Sequence, residues 1–522
     1  MTAPVAVGQW VCDTAGGGTQ DLTVGGLTAT PKAAIIKVVP ALTVDVLAND
    51  NFISMGMIGG DGVGGFVSCA VGTNEQDGDA GGTDAGTLTT DSRVILITNR
   101  GLATAEAQAS GVFITGGIRL TWVGGVYPAG AYIIIAQFFY GANVTSYLKL
   151  HTVLTGTPPY SSAVTGFGFK PQIAFHLTAN TAAGGSLASD AKHSFGVSTL
   201  TPTGTVRQIG RAYRSLNNAT TAMRLQISQA WVLANITTNL NTNAAVASHD
   251  VDGLTYTINT NAITHQFAIL GLHFGPLGAA DCGILNAPAA TGSVEIDTIY
   301  NTVGNPSVDV GFKPGGIGLI PVATASLDTL LQADPDTSIL AMGLSDGTTS
   351  YCVGAITDDG VTTSDTKALG KALVGFSTGS NGVTLHEMSL ASFDANGFTL
   401  TCSKSDASVD KWAWWAIKQY GTDIDADGLL DATYDSDPTA KIEWKLNTAP
   451  TKALEWGMTA GSGLYYIPDA DFLTGEDSII LDVSINGAAT ALYTATIEYA
   501  SVGTPDQPRY QGRGRTSRFR RV

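Results

Sequence analysis

The sequence predicts an all-β protein: three tandem, related β-sandwich (jelly-roll-like) domains, then a small immunoglobulin-like β domain and a basic C-terminal tail. The 522 residues include 63 Gly and are only 14% charged but 44% hydrophobic, which is typical of many short strands joined by tight turns. A set of landmarks also recurs three times at a period of about 140 residues. The predicted boundaries are 1–150, 151–283 and 284–421 for the sandwiches, 422–505 for an acidic linker and the small β domain, and 506–522 for the tail.

Each repeat opens with a glycine-bearing turn, a proline and an apolar strand. The openings are Gly26-Leu-Thr-Ala-Thr-Pro31, Gly166-Phe-Gly-Phe-Lys-Pro171 and Val310-Gly-Phe-Lys-Pro314, whose prolines are separated by 140 and 143 residues. A second landmark follows each proline after 25, 25 and 29 residues: Ser54-Met-Gly56, Ser194-Phe-Gly196 and Ala341-Met-Gly343. The proline fixes φ where the chain enters the strand.

Each repeat closes with two strands of different pattern. Residues 117–121, 253–257 and 397–401 alternate apolar and polar side chains, which predicts a half-buried strand. Residues 132–141, 266–275 and 412–421 are nearly continuous in apolar residues, which predicts a central strand between two packed layers.

These landmarks resemble a β-sandwich repeat family of tailed-bacteriophage virion proteins. Its modules carry a Gly-Thr-rich strand, a "GLGFxPKAVIF"-like segment, an "SxGF" strand, a "DGFTLxW" strand and a "YxALG" strand. The matching segments are Gly18-Thr-Gln-Asp-Leu-Thr, Gly168-Phe-Lys-Pro171, Asp252-Gly-Leu-Thr-Tyr256 and Asn396-Gly-Phe-Thr-Leu400. The resemblance covers residues 1 to about 421, and the first copy lacks both Phe residues of Gly166-Phe-Gly-Phe.

The resemblance implies a structural component of a tailed-phage virion (a tail, fibre or head-exterior protein). Such a protein assembles in the host cytoplasm through sandwich contacts with copies of itself and with other virion proteins. The alternative is a glycan- or receptor-binding adhesin module on the virion surface. The family supplies no catalytic residues, so we expect no enzyme and no required cofactor.

Charge and cysteine usage agree with this interpretation. The chain has 27 Lys+Arg against 44 Asp+Glu, which disfavours a body built to hold nucleic acid phosphates. No apolar run reaches the length of a membrane span. The five cysteines are widely spread and contain no CxxC pair, so we expect small buried hydrophobes instead of disulfides or a zinc site.

Two patterns require a chemical test. Gly343-Leu-Ser345-Asp-Gly347 matches the nucleophile-elbow string, but that string works in a strand–turn–helix context and here lies in a β repeat. Trp412 and Trp414 are placed on one face by alternation and Trp415 on the other. Exposed, the first two are candidates for glycan binding; the alternative is core packing in a central strand.

Alternating carboxylates follow the third repeat. Such a series around a glycine turn directs hard oxygen ligands at one Ca²⁺ and resembles the first half of thrombospondin type 3 calcium loops. A full EF-hand loop requires Glu where this chain has Tyr434. Two interpretations stay open, a Ca²⁺ site and an acidic linker. The candidate ligands are Asp423, Asp425, Asp427 and Asp431.

The C-terminal region combines a strand-rich segment with a basic end. Residues 440–444, 463–467, 478–484 and 490–498 carry strand patterns. The last 14 residues hold six arginines, whereas the preceding 508 residues have 21 basic against 44 acidic side chains. Docking on the acidic surface of a neighbouring subunit ranks before nucleic acid binding or a solvated terminus. The docking residues are Arg509, Arg513, Arg515, Arg518, Arg520 and Arg521.

Overall fold

The computed structural model contains two compact units, a body at 2–420 and a C-terminal unit at 421–522. Every regular element in the residues that it describes is a β-strand, and no helix occurs there. The predicted all-β sandwich fold is therefore confirmed. The described residues are 4–12, 18–40, 44–46, 48–49, 51–75, 85–98, 105–123, 132–153, 157–179, 187–188, 191–201, 204–215, 221–226, 230–234, 240–261, 265–275, 278–287, 291–296, 310–322, 331–332, 338–357, 366–378, 383–394, 396–406, 410–419, 441–446, 453–457, 478–485 and 493–498.

Sandwich 1 has a large sheet of order β1-β11-β3-β5-β6-β7 and a small sheet of order β2-β10-β9-β8. Along the chain, β1 belongs to the large sheet and β2 to the small sheet. The strands β3, β5, β6 and β7 then follow in the large sheet, β8, β9 and β10 follow in the small sheet, and β11 returns to the large sheet. The pairings are antiparallel. Its strands are β1 (Val5–Val11), β2 (Thr19–Thr23), β3 (Ala33–Val39), β4 (Ala48–Asn49), β5 (Asn51–Gly60), β6 (Phe66–Glu75), β7 (Ala85–Thr90), β8 (Ile95–Thr98), β9 (Ala105–Ile114), β10 (Gly117–Val123) and β11 (Ile133–Phe139).

Sandwich 2 repeats this arrangement, with a large sheet β12-β22-β14-β16-β17-β18 and a small sheet β13-β21-β20-β19. Its first strand crosses residue 150, the predicted end of the first domain, because it pairs with the last strand of its own sandwich. The strands are β12 (Thr145–Val153), β13 (Tyr160–Thr165), β14 (Ile173–Ala179), β15 (Leu187–Ala188), β16 (Ala191–Leu200), β17 (Val206–Ser215), β18 (Thr221–Gln226), β19 (Trp231–Ala234), β20 (Leu240–Asp250), β21 (Gly253–Asn261) and β22 (His265–His273).

Sandwich 3 has the same order again, β23-β34-β25-β28-β29-β30 and β24-β33-β32-β31, with β27 paired to β29 as an addition. Its first strand likewise spans the predicted boundary at 283/284. The strands are β23 (Ala280–Asn286), β24 (Gly292–Ile296), β25 (Pro314–Ile320), β26 (Leu331–Gln332), β27 (Ser338–Ile339), β28 (Met342–Ser345), β29 (Ser350–Thr357), β30 (Thr366–Lys371), β31 (Gly375–Thr378), β32 (Thr384–Phe393), β33 (Phe398–Lys404) and β34 (Lys411–Lys418).

The second landmark glycine of each sandwich lies where the large sheet comes very close to the backbone of the small sheet. A β-carbon on Gly56, Gly196 or Gly343 would lie only 1.9, 1.6 or 1.4 Å from a backbone carbonyl oxygen. Those carbonyls belong to Val94, Ala230 and Val374, which come directly before the edge strands β8, β19 and β31 of the small sheets. The repeat therefore keeps glycine where any side chain would separate the layers.

The large sheets are buried on both faces. One face packs on the small sheet of its own sandwich, and the other packs against the large sheets of the other two sandwiches in a shared core. The apolar closing strands β11, β22 and β34 each lie between two other strands of a large sheet, as predicted, and all seven residues of β11 and the first seven of β34 are buried. The opening strands β3, β14 and β25 are buried throughout as well. Phe139, Phe175 and Trp415, one from each sandwich, meet with ring centroids 5.8 and 5.6 Å apart.

In the C-terminal unit the described strands form one antiparallel sheet of order β36-β35-β37-β38. Three of the four predicted segments coincide with strands, whereas 463–467 lies outside the described residues. The strands are β35 (Lys441–Leu446), β36 (Ala453–Gly457), β37 (Ser478–Ile485) and β38 (Tyr493–Glu498). In the part of the chain described by the structure, no helix has the length and apolarity needed to cross a membrane.

Candidate functional site

Each large sheet is completed by a two-residue strand from the next sandwich. The two-residue strands β4, β15 and β26 follow β3, β14 and β25 in the chain, and each pairs with the edge strand of a neighbouring large sheet. Sandwich 2 gives β15 to β7, sandwich 3 gives β26 to β18, and sandwich 1 gives β4 to β30. The three exchanges close a ring, and each covers a sheet edge that would otherwise offer unpaired backbone groups.

A second contact accompanies each exchange at the three junctions, which are named after the two sandwiches that meet there. The hairpins β5–β6, β16–β17 and β28–β29 lie on the first strand of the next sandwich, which is β12, β23 or β1. At junction 1–2, the Gly60 amide donates to Ser146 Oγ at 3.0 Å. The same hydroxyl donates to the Lys32 carbonyl at 2.6 Å. One serine of β12 therefore contacts the chain directly before β3 and at the end of β5, two neighbouring strands of sandwich 1.

At junction 2–3, the corresponding contact is an ion pair between Arg207 and Asp281. The Asp281 side chain is only 2% exposed, and burial raises the pKa of its carboxyl to about 6 although Arg207 acts in the opposite direction. Thr199 Oγ1 also donates to Cys282 Sγ at 3.4 Å. All five cysteines are buried, as predicted, and none forms a disulfide.

Junction 3–1 closes the ring without a chain connection. The Asp346 carboxylate accepts hydrogen bonds from the Val7 amide at 3.0 Å and from the Thr348 and Thr349 amides at 2.9 and 2.8 Å. Thr349 Oγ1 donates to the Val7 carbonyl at 3.2 Å. The hairpin turn and the first strand of the body are thus held by one carboxylate.

Deeper in the same junction, Gln137 lies fully buried between sandwiches 1 and 3. Its Nε2 donates to the Ile317 carbonyl at 3.1 Å, and its Oε1 accepts from Trp415 Nε1 at 3.2 Å. Nearer the surface, the Asp45 amide donates to the Gly370 carbonyl, and Lys371 pairs with the Asp45 carboxylate at 3.1 Å.

The two ends of the body lie side by side. A β-carbon on Gly315 would stand 2.9 Å from Gln419 Cα and 3.1 Å from Pro4 Cδ. The last strand of sandwich 3 therefore ends where the first strand of sandwich 1 begins, as the last strand of sandwich 1 ends near the start of sandwich 2.

The string Gly343-Leu-Ser345-Asp-Gly347 forms the turn of this closing hairpin. Ser345 is buried; its hydroxyl donates to the Thr349 carbonyl at 2.9 Å and accepts from the Gly347 amide at 3.1 Å and from Ser350 Oγ at 2.9 Å. A nucleophilic serine needs a base at its hydroxyl. Here the hydroxyl stabilises a β-turn instead.

Ser377, His386 and Asp410 form a buried polar group in sandwich 3. Ser377 Oγ and Asp410 Oδ2 both contact His386 Nδ1, at 3.1 and 3.2 Å, and Ser377 donates to Asp410 at 2.7 Å. His386 Nε2 accepts from the Asp406 amide at 3.3 Å. In a catalytic triad the serine and the acid use different ring nitrogens, so this arrangement satisfies a buried histidine and activates no hydroxyl.

The tryptophans proposed for glycan binding lie in the core of sandwich 3. Trp412 and Trp414 are 0% and 1% exposed and pack between the two sheets, whereas Trp415 faces the shared core. The predicted alternation is confirmed, but neither Trp412 nor Trp414 presents a ring face to a ligand. Central-strand packing explains both.

The other predicted site residues lie outside the described residues. These are the calcium candidates Asp423, Asp425, Asp427 and Asp431 and the docking arginines Arg509, Arg513, Arg515, Arg518, Arg520 and Arg521. Among the residues that the structure describes, no group of three or more His, Cys, Asp or Glu side chains is placed to hold a metal ion.

The residues that hold the junctions were not predicted from the sequence. Gln137 and Lys37 interrupt the apolar strands β11 and β3, and a polar residue in a doubly buried strand was the available signal. Ser146 and Asp346 carried no such signal, because serine and aspartate are ordinary turn and strand-end residues.

No family model matches the chain, and no curated protein matches it either.

Proposed function

We propose that this chain is a structural, non-enzymatic component of a virion, a self-locked block that assembles with copies of itself and other particle proteins. The observation that carries the proposal is the closed ring of exchanged strands. In such a ring no sandwich can leave without breaking backbone pairing on two sides, which favours slow unfolding. A protein that unfolds slowly is better suited to a long-lived particle than to an enzyme that must open and close during catalysis.

The distribution of polar groups supports the same function. The hydroxyl and imidazole groups that resemble catalytic parts, those of Ser345, Ser377 and His386, are buried and engaged in holding turns and strands. The small sheets form the outer layer, and β10 and β21 alternate buried and more exposed side chains. The outward faces of the small sheets are the surfaces available for contacts with other copies of the chain and with other particle proteins.

The arginine-rich tail supplies a second part of the assembly proposal. The six arginines are opposite in charge to the acidic remainder of the chain, so docking on a neighbouring copy is favoured electrostatically. Deleting 506–522 should lower the oligomeric mass measured by light scattering at low salt. An unchanged mass would remove the tail from assembly without touching the virion proposal.

Trp412 and Trp414 lie in the core, so these two side chains do not support the alternative function, a glycan- or receptor-binding module.

Immuno-electron microscopy tests the virion proposal. An antibody raised against the full chain should label purified particles from the organism that carries this sequence, at regular positions on the tail or head. The control is the same antibody after adsorption with the protein. Label confined to the soluble lysate, with particles bare, would contradict the proposal.

A further inference from the structure

Three basic side chains lie in the shared core where the large sheets meet. Lys37 comes from β3 of sandwich 1, and His193 and Arg211 come from β16 and β17 of sandwich 2; their exposed fractions are 0%, 1% and 0%. We call them the central basic cluster.

Sandwich 3 supplies the backbone groups that these side chains reach. Lys37 Nζ donates to the Leu340 carbonyl at 2.5 Å, and Arg211 Nη1 donates to the Ala341 carbonyl at 2.9 Å. The His193 ring packs edge-on against Tyr213, whose centroid is 6.1 Å away, and Tyr213 lies two residues from Arg211 on the same face of β17. The cluster therefore joins all three sandwiches at adjacent carbonyls.

The hydrogen bonding of the cluster is incomplete. In the described part of the chain, Arg211 Nε and Nη2 and both ring nitrogens of His193 are buried without a hydrogen-bond partner. No carboxylate among the described residues pairs with any of the three side chains. Burial lowers the pKa of Arg211 only to about 9, so its guanidinium stays charged at pH 7. The centre of the body thus carries a positive charge without a counter-charge, which is strongly unfavourable.

Another arginine of this chain shows what the vacant edge of Arg211 binds. Arg119 Nε and Nη2 contact the two carboxylate oxygens of Asp21 at 2.6 and 2.7 Å. These are the same two nitrogens that lack partners in Arg211. This edge of a guanidinium has the geometry for bidentate binding of an anion.

We propose that the central basic cluster binds a small inorganic anion, a halide or a small oxyanion, on the Nε and Nη2 edge of Arg211, with His193 and Lys37 completing the site. A water molecule would satisfy the donors but would leave the charge uncompensated. A bound anion compensates it and also favours the charged forms of Lys37 and His193, whose pKa values burial otherwise lowers, that of His193 to about 3. The anion would act as an internal tie among the three sandwiches, a role beyond the proposed assembly function.

Thermal unfolding of the full chain in different sodium salts at one ionic strength tests the site. Chloride, bromide or nitrate should raise Tm by about 2 °C or more over gluconate, which is too large for a buried site. Arg211→Met should abolish the difference. The matched control, Arg119→Met, removes an exposed arginine and should retain it. The salt with the larger shift distinguishes a halide site from an oxyanion site.

Crystals grown in sodium bromide supply an independent measurement. An anomalous bromine peak is expected within hydrogen-bond distance of Arg211 Nε and Nη2. Equal Tm values in all the salts together with no such peak would overturn the proposal. If Arg211→Met does not fold, Lys37→Met replaces it in the salt series, and the bromide peak is still measured on the unaltered protein.

Discussion

The junction that closes the ring and the junctions that follow the chain share one architecture but differ in their side-chain contacts. At junction 1–2, where the chain runs from Phe139 to Thr145 without interruption, the hydroxyl of Ser146 holds the neighbouring hairpin. At junction 3–1, the corresponding contact is made by the Asp346 carboxylate, with buried Gln137 and Trp415 behind it. Hydrogen bonds to a charged acceptor are about twice as strong as neutral ones.

This difference has a physical reason. A short linker keeps two sandwiches at a high effective concentration, so a neutral hydroxyl suffices to orient them. Sandwiches 1 and 3 are held near each other only through sandwich 2 and through their own contacts. Of junctions 1–2 and 3–1, the one without chain connection therefore has the stronger polar contacts, whereas the chain-linked junction 2–3 carries the Arg207–Asp281 ion pair.

The largest expected effect comes from Gly343→Ala. The new β-carbon would stand 1.4 Å from the Val374 carbonyl oxygen, so the β28–β29 hairpin must move away from its small sheet. We expect a loss of about 4 kcal/mol in the free energy of unfolding, measured by denaturant titration. Hydrogen exchange at the Val7 amide should rise, because the hairpin carries Asp346.

The control for this substitution is Gly25→Ala, since a β-carbon there meets nothing within 4 Å. It should change the free energy of unfolding by less than about 0.5 kcal/mol. If Gly343→Ala behaved like Gly25→Ala, the account of the landmark glycine as a sheet-contact position would fail.

The next effect compares the two junctions directly. Asp346→Ala leaves the Val7, Thr348 and Thr349 amides without their acceptor, and we expect a loss of about 3 kcal/mol. Ser146→Ala removes one neutral hydroxyl and should cost about 1 kcal/mol. Denaturant titration of both variants measures the difference. Equal losses would show that the closing junction needs no stronger contact than a linked one.

A smaller effect is expected at junction 2–3, where the free energy of unfolding should depend on pH through Asp281. The folded-state pKa of Asp281, about 6, lies above its ordinary value of 3.8. The stability that this group contributes is therefore complete below pH 4 and is lost as the pH rises through 6. Between pH 4 and pH 7 the unaltered protein should lose about 2 kcal/mol more than Asp281→Asn.

The control is Asp21→Asn at the exposed pair with Arg119, where the hydrogen bond from Arg119 lowers the pKa of the carboxyl. That variant should retain the loss between pH 4 and pH 7, because the shift at Asp21 has the opposite sign. A wild-type pH profile that coincides with that of Asp281→Asn would contradict the raised pKa.

The sequence predicted what depends on local patterns and missed what depends on neighbours. Apolar runs placed β11, β22 and β34 between two layers, and alternation separated Trp414 from Trp415, because side-chain direction follows position along a strand. The exchanged strands are two residues long, too short for any period, and their partners lie in another sandwich.

The buried charges show a related limit. Lys37, Leu177 and Ile320 lie six residues after the three repeat prolines, so one repeat position holds a basic side chain in sandwich 1 and an apolar side chain in the others. The sequence shows that the position departs from its repeat. It cannot show that Arg211 and His193 of another sandwich lie beside it.

The smallest effect is expected from a circular permutant. Since Pro4 and Gln419 are neighbours, a linker of about four residues, as short as common natural connections, should join them. The chain is opened between Ala142 and Asn143, and 421–522 is kept after Ala142. Junction 3–1 then becomes linked and junction 1–2 becomes the closing one. The permutant should fold, because chain ends that lie close together tolerate this change.

The permutant should lose about 1–2 kcal/mol, because Ser146 now holds a junction without chain connection. In this background Ser146→Ala should cost more than in the natural chain order and Asp346→Ala less, both measured by denaturant titration. A second permutant, opened between Gly62 and Val63 inside the junction hairpin, is the control and should lose more, since it cuts the element that lies on β12. If the costs of Ser146→Ala and Asp346→Ala were the same in both chain orders, chain connection would not explain why the carboxylate is found at junction 3–1.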